Sequence, residues 1–296
     1  MNPILIFLSL ILVGGKTGDA WSSPPIFHAI LIFGDSASNH YPYGRDFPNG
    51  TSTRRFSNGL LVPDLLASSF GIKEFVPPYF DPSLPDNELR TVVSFASAGS
   101  GLDELSAQIS GALSIPVQVA LFKNYKEDLV NAVGKDEATK IVSGALVMID
   151  AGGNDILFNY YDTQARRRSQ FNITGYHDFL LQKQESLVKE LYDLGCRIFG
   201  VSGMAPLGCI PFQITRKNSK VQETLLGSSI TYLDNYNPMM DMINNQQKYE
   251  IGPFCNATTP VCSNPSEYLF WDAVHPSEAV YKTIAKTIFR QLLETN

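Results

Sequence analysis

The chain has 296 residues, of which 44% are hydrophobic and 18% are charged, so its length and composition suit a protein with a sizeable core. Its formal net charge of -6 at pH 7 argues against nucleic-acid partners, because binding to phosphates depends on clustered Lys and Arg. The one basic run, Arg166-Arg167-Arg168, is expected to be a solvated surface turn between helices rather than a binding patch.

The N-terminal residues differ from the rest of the chain. Residues 4–13 are almost continuously apolar, yet this run is too short to span a bilayer. Gly18-Asp19-Ala20 then supplies small residues at the positions that a signal peptidase reads. We therefore expect a secretory signal peptide over residues 1–20 and no stable insertion into a membrane. Residues 21–296 contain no repeat or long linker, which predicts a single domain.

An exported protein is expected to carry glycans and oxidised cysteines, and the sequence has residues suited to both. Acceptor sequons for N-glycosylation begin at Asn49, Asn172 and Asn256. Cys255 and Cys262 enclose a short loop that a disulfide can close, whereas Cys196 is expected to be a buried thiol and Cys209 has no obvious partner. Because there is no Cys-X-X-Cys pair and histidine is scarce, we expect no zinc site.

Short β-branched apolar runs alternate with helical patterns along the chain, which predicts parallel strands joined by crossover helices. The predicted strands span residues 29–33, 91–95, 145–149, 197–201 and 229–233. They would form one doubly wound sheet of five strands. In such a sheet, ligands bind beyond the carboxyl ends of the strands. The residues that follow each strand are therefore the first candidates for a site.

Three helices are evident from their apolar faces. One covers residues 179–194 and is stopped by Gly195, and another covers residues 117–133 and is stopped by Gly134. The last is expected to have Pro276 in its first turn and to turn inward Val280, Ile284, Ile288 and Leu292. Between the fourth and fifth strands only residues 216–226 remain to form a helix, which predicts a poorly covered edge of the sheet.

Small and polar residues follow the predicted strands in a consistent way. Gly34-Asp35-Ser36 follows the first strand, Ala96-Ser97-Ala98-Gly99 the second and Gly152-Gly153-Asn154-Asp155 the third, and Asp272-Ala273-Val274-His275 lies near the C-terminus. Each of these segments alone is as well explained by a turn. Together they occur in the chain order and at the strand ends that one active site requires.

The chemistry that these residues suggest is nucleophilic catalysis by a serine. A serine hydroxyl needs a base, and the base needs a carboxylate that orients it. Asp272 and His275 are three residues apart, so one turn can place the carboxylate against the imidazole and leave its other nitrogen facing Ser36. His40 is the rival base. His28 is expected to lie at the far end of the first strand, and His177 on the surface of a helix.

Acyl transfer also requires hydrogen-bond donors aimed at the oxyanion as it forms. The candidates are the backbone amide of Ser36, an amide at Gly99 and the side chain of Asn154. Asp35 and Asp155 are assigned to turn bonding around them. The sequence lacks Gly-X-Ser-X-Gly, which argues against hydrolases with a nucleophile elbow.

With these motifs in view, the chain resembles the plant GDSL lipase/esterase family, within the SGNH hydrolases. The resemblance runs from Ile32 to Ala285. It rests on the motifs Phe33-Gly34-Asp35-Ser36, Pro42-Tyr43-Gly44-Arg45-Asp46-Phe47-Pro48, Arg55-Phe56-Ser57-Asn58-Gly59, Phe95-Ala96-Ser97-Ala98-Gly99-Ser100-Gly101, Gly153-Asn154-Asp155, Pro206-Leu207-Gly208-Cys209 and Phe270-Trp271-Asp272 with His275-Pro276.

The resemblance implies a fold and a set of residue roles. The fold would be a three-layer α/β/α sandwich of flavodoxin type, with no metal or organic cofactor. Ser36 would be the nucleophile, Gly99 and Asn154 would be further oxyanion donors, and His275 would be the base. Ala98 can equally supply the amide assigned to Gly99.

The chain also departs from the family pattern in three places. The loop after Ser36 is short, since Asn39-His40-Tyr41-Pro42 stands where the family carries a longer stretch. Further gaps fall near Lys220, where a longer helix with a Cys is expected, and near Tyr249. The gap near Lys220 would explain an unpaired Cys209. We therefore expect a shortened isoform that retains the catalytic residues.

The predicted function is that of a secreted carboxylic-ester hydrolase acting on lipid or other acyl esters. It would act in the apoplast or cell wall, with a small-molecule or lipid ester as its partner. Two alternatives remain open at this point. One is an inactive secreted relative with a binding role, and the other is an acyltransferase that uses the same triad.

Overall fold

The computed structural model describes residues 27–35, 44–47, 55–161, 166–204, 227–249, 252–254, 262–271 and 275–295. Five parallel strands in this part of the chain form one sheet: β1 (Ala29–Gly34), β2 (Val92–Ser94), β3 (Ala145–Asp150), β4 (Ile198–Ser202) and β5 (Ser229–Leu233). Their order is β2-β1-β3-β4-β5. Each predicted strand lies within one residue of its observed bounds, so the prediction of a five-stranded parallel sheet is confirmed.

Helices cover both faces of this sheet. One face packs against α1 (Val62–Ser69), α6 (Tyr236–Asn244) and α8 (Glu278–Thr295). The other packs against α3 (Ile115–Val133), α4 (Lys135–Ser143) and α5 (Ile173–Asp193). The three-layer α/β/α arrangement predicted from the family resemblance is therefore confirmed.

Shorter elements complete the described part of the chain. They are α2 (Glu104–Ser110), α7 (Gln246–Tyr249), a π-helix (Asp155–Tyr161), two 3-10 helices (Asp86–Arg90 and Pro265–Glu267) and a separate parallel pair, β6 (Gly252–Phe254) and β7 (Tyr268–Phe270). Among the described helices, none is by itself long and apolar enough to cross a membrane. Taken together, α2 and α3 are long and apolar enough to do so, but the chain bends by 94° between them.

The alternation of side chains along β1 explains why its sequence is continuously apolar. Leu31 and Phe33 belong to the core on the α3 side, whereas Ile30 and Ile32 belong to the core on the α1 side. Because helices cover both faces, both sets of side chains are buried.

The start of the last helix corrects one prediction. Pro276 is not in the first turn of α8, which begins at Glu278. Instead, Pro276 forms an isolated antiparallel bridge with Phe270 of β7. Ser277 is tied to β7 as well, because its amide donates to Leu269 O at 3.0 Å and its hydroxyl donates to Tyr268 O at 2.6 Å. These bonds tie residues 276 and 277 to β7 just before the helix begins.

The cysteines that the structure describes agree with their predicted states. Cys196 is a fully buried free thiol, as predicted. Cys262 forms a disulfide, and its partner lies outside the described residues. The predicted signal peptide, the helix over residues 216–226, Cys209, Cys255, Asn49 and Asn256 also lie outside them.

Candidate active site

The first strand ends at a glycine that no other residue can replace without displacing its neighbours. Gly34 has a φ of +114°, and a Cβ built on it would lie 1.8 Å from the carbonyl oxygen of Asp150. The next residue, Asp35, donates its amide to the same oxygen at 2.8 Å. The backbone at the end of β1 is therefore in close contact with the end of β3. Ser36 is the next residue along the chain and lies outside the described residues.

A buried glutamine holds this strand end to the turn that follows β2. Gln118 Oε1 accepts from the Gly34 amide at 2.9 Å, and its Nε2 lies 2.9 Å from Gly34 O and 3.1 Å from Ser100 Oγ. The side chain is fully buried. Gln118 was not predicted from the sequence. Its signal was a polar residue on the apolar face of α3, between Ile115 and Phe122.

The turn after β2 contains the predicted oxyanion glycine. The Ser100 amide donates to Ser97 O at 3.0 Å, and Gly99 at the corner of this turn has a φ of +80°. A Cβ on Gly99 would lie 2.5 Å from the Cβ of Ser110, whose hydroxyl donates to Gly99 O at 2.9 Å. Glycine is therefore required here by conformation and by space.

Asn154 joins the two segments just described. Its Nδ2 group donates to Asp35 Oδ2 at 3.0 Å and to Ser100 O at 2.8 Å. The structure thus brings together the end of β1, the turn that contains Gly99 and the segment that follows β3. Both hydrogens of the Asn154 amide have acceptors in this arrangement. Asp35 takes part in the bonding around the site, as the sequence predicted.

A buried polar network surrounds Asp155, the residue that follows Asn154. Asp155 accepts from the amides of Leu102 and Asp103 at 2.8 and 3.2 Å, and also from the Ser106 hydroxyl. Burial raises the pKa of Asp155 to about 6, although the hydrogen bonds from Ser106 and Leu102 oppose this shift. The predicted role of Asp155 in turn bonding is confirmed by these contacts.

The network extends to the basic run, which lies in a turn between helices with Arg166 and Arg168 exposed, as predicted. Arg167 is not simply a solvated turn residue, because its Nε and Nη2 donate to the buried carboxylate of Asp103 at 2.7 and 2.8 Å. Burial would raise the pKa of Asp103, but the hydrogen bonds from Arg167, Leu105 and Tyr176 and the charge of Arg167 together outweigh it and lower that pKa below its usual range. Arg168 Nε donates to Tyr160 O at 3.0 Å. The run therefore fixes the turn that precedes α5.

His275 lies against an aromatic ring. The Phe56 ring is parallel to the imidazole, with centroids 4.3 Å apart and planes 3° apart. Two residues further on, Asn58 Oδ1 accepts from the Glu278 amide at 2.9 Å. The segment containing Phe56 thus contacts both the imidazole and the start of α8. Asp272, the predicted acid, lies outside the described residues.

The other histidines occupy different surroundings. His28 lies at the amino end of β1, as predicted, with Nδ1 3.1 Å from Lys140 O. His177 is partly buried within α5 rather than on its surface, and this burial lowers its pKa. His40, the rival base, is outside the described residues.

A cavity of about 220 Å³ lies beyond the carboxyl ends of the strands and extends between the sheet and α1 and α8. Asp35, Asn154 and His275 contribute polar groups to its lining. Its other walls are mainly apolar, with contributions from Ile32, Leu61, Val76, Met148, Met239 and Ile284. The arrangement can bind an apolar chain beside polar groups. Gly99 is not among the described residues that line it.

One charged cavity residue was missed because of where the third strand was expected to end. The prediction stopped at Ile149, but β3 continues to Asp150, whose side chain is exposed to the cavity. The signal was present in the sequence, since Asp150 continues the alternation of Leu146 and Met148 on one face of the sheet. Among the described residues, no cluster of His, Cys, Asp or Glu is arranged to hold a metal ion.

Comparison with known proteins identifies the family. Residues 30–288 match the model of the GDSL-like lipase/acylhydrolase family. The chain is 38% identical to GDSL esterase/lipase At2g24560 of Arabidopsis thaliana, over 97% of this chain and 94% of that protein. It is 39% identical to GDSL esterase/lipase At1g06990 of the same plant, over 90% of this chain and 89% of that protein.

These matches cover most of the chain and of the relatives. The sheet, the strand-end residues and the matches define an ester-hydrolysing serine hydrolase. The chain belongs to the GDSL-like lipase/acylhydrolase family. The alignment with At2g24560 covers 343 positions, 47 more than the 296 residues of the chain, so at least 47 positions lack a residue here. A shortened chain was expected from the sequence.

Proposed function

We propose that the protein is a secreted carboxylic-ester hydrolase that acts through a Ser36-His275-Asp272 triad on lipid or other acyl esters. The observation that carries this proposal is the cavity at the carboxyl edge of the sheet, where Asn154 and His275 meet apolar walls. An acyl chain requires such walls, and acyl transfer requires a base and oxyanion donors beside them.

The proposed reaction has two stages that share one base. His275 takes the proton of the Ser36 hydroxyl as the oxygen attacks the ester carbonyl, and then returns a proton to the leaving alcohol. The acyl group is then bonded to Ser36. Water attacks this acyl-enzyme with the same assistance from His275 and releases the acid. Asp272 would orient the imidazole and stabilise its protonated form.

Asn154 has a defined part in this proposal. Its Nδ2 group donates to Asp35 Oδ2. In the proposed transition state, the oxyanion replaces Asp35 as one acceptor, while the bond to Ser100 O keeps the amide in place. The backbone amides of Ser36 and Gly99 would be the other donors. Loss of one such donor costs roughly a hundred- to a thousandfold in turnover.

Replacement of the nucleophile tests the proposal directly. Ser36→Ala is expected to abolish hydrolysis of short p-nitrophenyl esters, because it removes the attacking oxygen. Ser186→Ala is a matched control, since Ser186 is exposed on α5 and its hydroxyl only donates to Gln182 O. A folded Ser36→Ala protein with wild-type turnover would refute the triad. Wild-type protein that forms an acyl-enzyme but passes the acyl group only to alcohols would instead be an acyltransferase.

Secretion forms the second half of the proposal. The division into a signal peptide over residues 1–20 and one domain over residues 21–296 remains a prediction. It is supported by the disulfide at Cys262, since disulfides persist in oxidising compartments. Asn172 supports it as well, because it is exposed at the start of α5, where a glycan can be attached. The proposed location is the apoplast or cell wall.

A further inference from the structure

One carboxylate in the cavity has no role in the reaction described above. Asp150 is the last residue of β3 and is exposed to the cavity. Within the described part of the chain, no hydrogen bond or ion pair joins its carboxylate to another side chain, and burial raises its pKa. Its backbone, by contrast, is fixed, because its carbonyl oxygen accepts the amide of Asp35. The backbone position of Asp150 is therefore fixed, and its two carboxylate oxygens can accept hydrogen bonds from a ligand.

The other charged groups around the cavity differ from Asp150 in this respect. Arg55 Nε donates to Asp64 Oδ2 at 2.7 Å, and Asp64 also accepts the amides of Leu61 and Val76. Asp35 accepts from Asn154. These groups form hydrogen bonds with other residues of the cavity walls. Asp150 is the charged group in the described lining that is left to interact with a ligand.

The surroundings of Asp150 make a carboxylate without a hydrogen-bond donor energetically unfavourable. Although its side chain opens to the cavity, protein atoms crowd around it, and this desolvation raises its pKa to about 6. At neutral pH the carboxylate is charged, and it faces the cavity. A desolvated charge without a protein partner is destabilising, and such groups in clefts are frequently functional. A ligand that donates a hydrogen bond would offset the cost.

We propose that Asp150 is a substrate-binding residue that accepts a hydrogen bond from a hydroxyl group on the acyl chain of the ester. This inference rests on the proposed function and narrows its substrate class. A carboxylate on the chain would be repelled by Asp150 and Asp35. An ammonium group is less suited than a hydroxyl, because its transfer from water to a cavity with apolar walls costs more.

The size of the cavity limits the length of the acyl chain that it can enclose. Its volume of about 220 Å³ is below the roughly 300 to 1,000 Å³ of sites that enclose drug-sized ligands. The cavity therefore suits a short acyl chain with one hydroxyl. Large acyl groups would have to leave most of their length outside it.

The experiment compares matched esters on the intact protein. The substrates are p-nitrophenyl hexanoate and octanoate, each beside counterparts with a hydroxyl or an ammonium group at the middle or the end of the chain. The measured quantity is the ratio of kcat/KM for the hydroxylated ester to that for the plain ester. Asp150→Asn is expected to lower this ratio about tenfold, as loss of a hydrogen bond to a charged group would.

Two control variants accompany this change. Asp136→Asn removes the same charge from an exposed position on α4 and should leave the ratio unchanged. Asp150→Ser keeps a smaller polar group and replaces Asp150→Asn if the latter does not fold. An equal ratio in wild type and in the folded Asp150 variant would overturn the inference. A wild-type preference for the ammonium esters would also overturn it.

The pH dependence of the ratio provides a second readout. A hydroxyl donates more strongly to a carboxylate than to a carboxylic acid, so the ratio should rise from about pH 5 to about pH 7 as Asp150 ionises. The other titratable groups of the described lining act on both esters alike; they are Asp35, Arg55, Asp64, His275 and Tyr281. A rise that persists in Asp150→Asn would contradict the assignment. Failure of the wild type to hydrolyse any ester would refute the proposed function itself.

Discussion

Gln118 links two parts of the site that are far apart in the sequence. It bonds to both the amide and the carbonyl of Gly34, two residues before the proposed nucleophile. It also lies within hydrogen-bond distance of Ser100, in the turn that contains Gly99. Because Gln118 is not among the described residues that line the cavity, we regard it as a positioning residue. Its removal would leave several buried polar groups without partners.

Replacement of Gln118 by Met preserves its approximate shape and removes all of its hydrogen bonds. We expect kcat to fall at least about tenfold with little change in KM, because a misplacement of the nucleophile and the oxyanion donors affects the transition state most. Steady-state kinetics on a short ester would measure both constants. A thermal melt would show whether the variant is folded.

A matched control is available on another helix. Gln184 is also buried, on α5, and its Nε2 has no hydrogen-bond partner in the part of the chain that the structure describes. Gln184→Met should leave kcat unchanged and should not lower the melting temperature. If Gln118→Met and Gln184→Met behaved alike, Gln118 would have no positioning role.

The residues of the site were predictable to different degrees. Asn154 and His275 were found because each follows a strand or belongs to a short motif. Gln118 was not, because its role depends on the distance between α3 and the end of β1, which no local pattern encodes. Phe56 was quoted as part of a motif, but its contact with His275 joins residues more than two hundred positions apart. Such contacts arise only from the tertiary structure.

At the scale of elements, the strands of the sheet differ in their burial. In β3, the five residues from Ala145 to Ile149 are all buried. In β5, only Thr231 and Leu233 are buried, and this strand lies at the edge of the sheet. The sequence predicted a poorly covered edge here, because few residues remain for a helix between β4 and β5. That helix itself lies outside the described residues.

Hydrogen exchange distinguishes these two strands. Local opening requires less free energy where few apolar contacts are lost, so the amides of β5 should exchange much faster than those of β3. Mass spectrometry or NMR would follow exchange at Ser229–Leu233 and Ala145–Asp150. Amides of β4 offer an internal control, since they lie between the two strands in the sheet. Equal protection in β3 and β5 would refute the prediction.

Strand positions were predictable because the two-sided burial of a parallel sheet produces continuous apolar runs. The start of α8 was not, because the bonds of Ser277 to β7 are tertiary contacts that delay the helix until Glu278. The π-helix over Asp155–Tyr161 was not predicted either. It depends on the buried network around Asp155, whose partners come from other segments of the chain.

At the scale of the molecule, the two faces of the sheet have different roles. The face covered by α3, α4 and α5 is filled by an apolar core that includes Phe33, Phe95 and Phe122. The cavity lies on the other face, toward α1 and α8. The α1 side also has an apolar core, so helices stabilise the strands on both faces and leave room for a ligand on one of them. The catalytic proposal and the Asp150 inference both depend on this asymmetry.

Export of the whole chain is open to a separate test. Expression through a plant secretory pathway should yield a protein that begins near Trp21 and carries added mass at one or more of the sequons, among them Asn172. N-terminal sequencing and glycosidase treatment would measure both. An Asn172→Gln variant that loses a single glycan would place one of them. Retention of Met1 on the exported protein would show that the predicted signal peptide is wrong.

We propose Ser36 as the nucleophile of this serine hydrolase. Labelling with a fluorophosphonate, followed by peptide mapping with mass spectrometry, tests this assignment, because the reagent reacts preferentially with an activated hydroxyl. We predict a single adduct on Ser36 in the wild-type protein, and none after denaturation or in Ser36→Ala. A folded wild-type protein without an adduct, or with its adduct on another serine, would contradict the account.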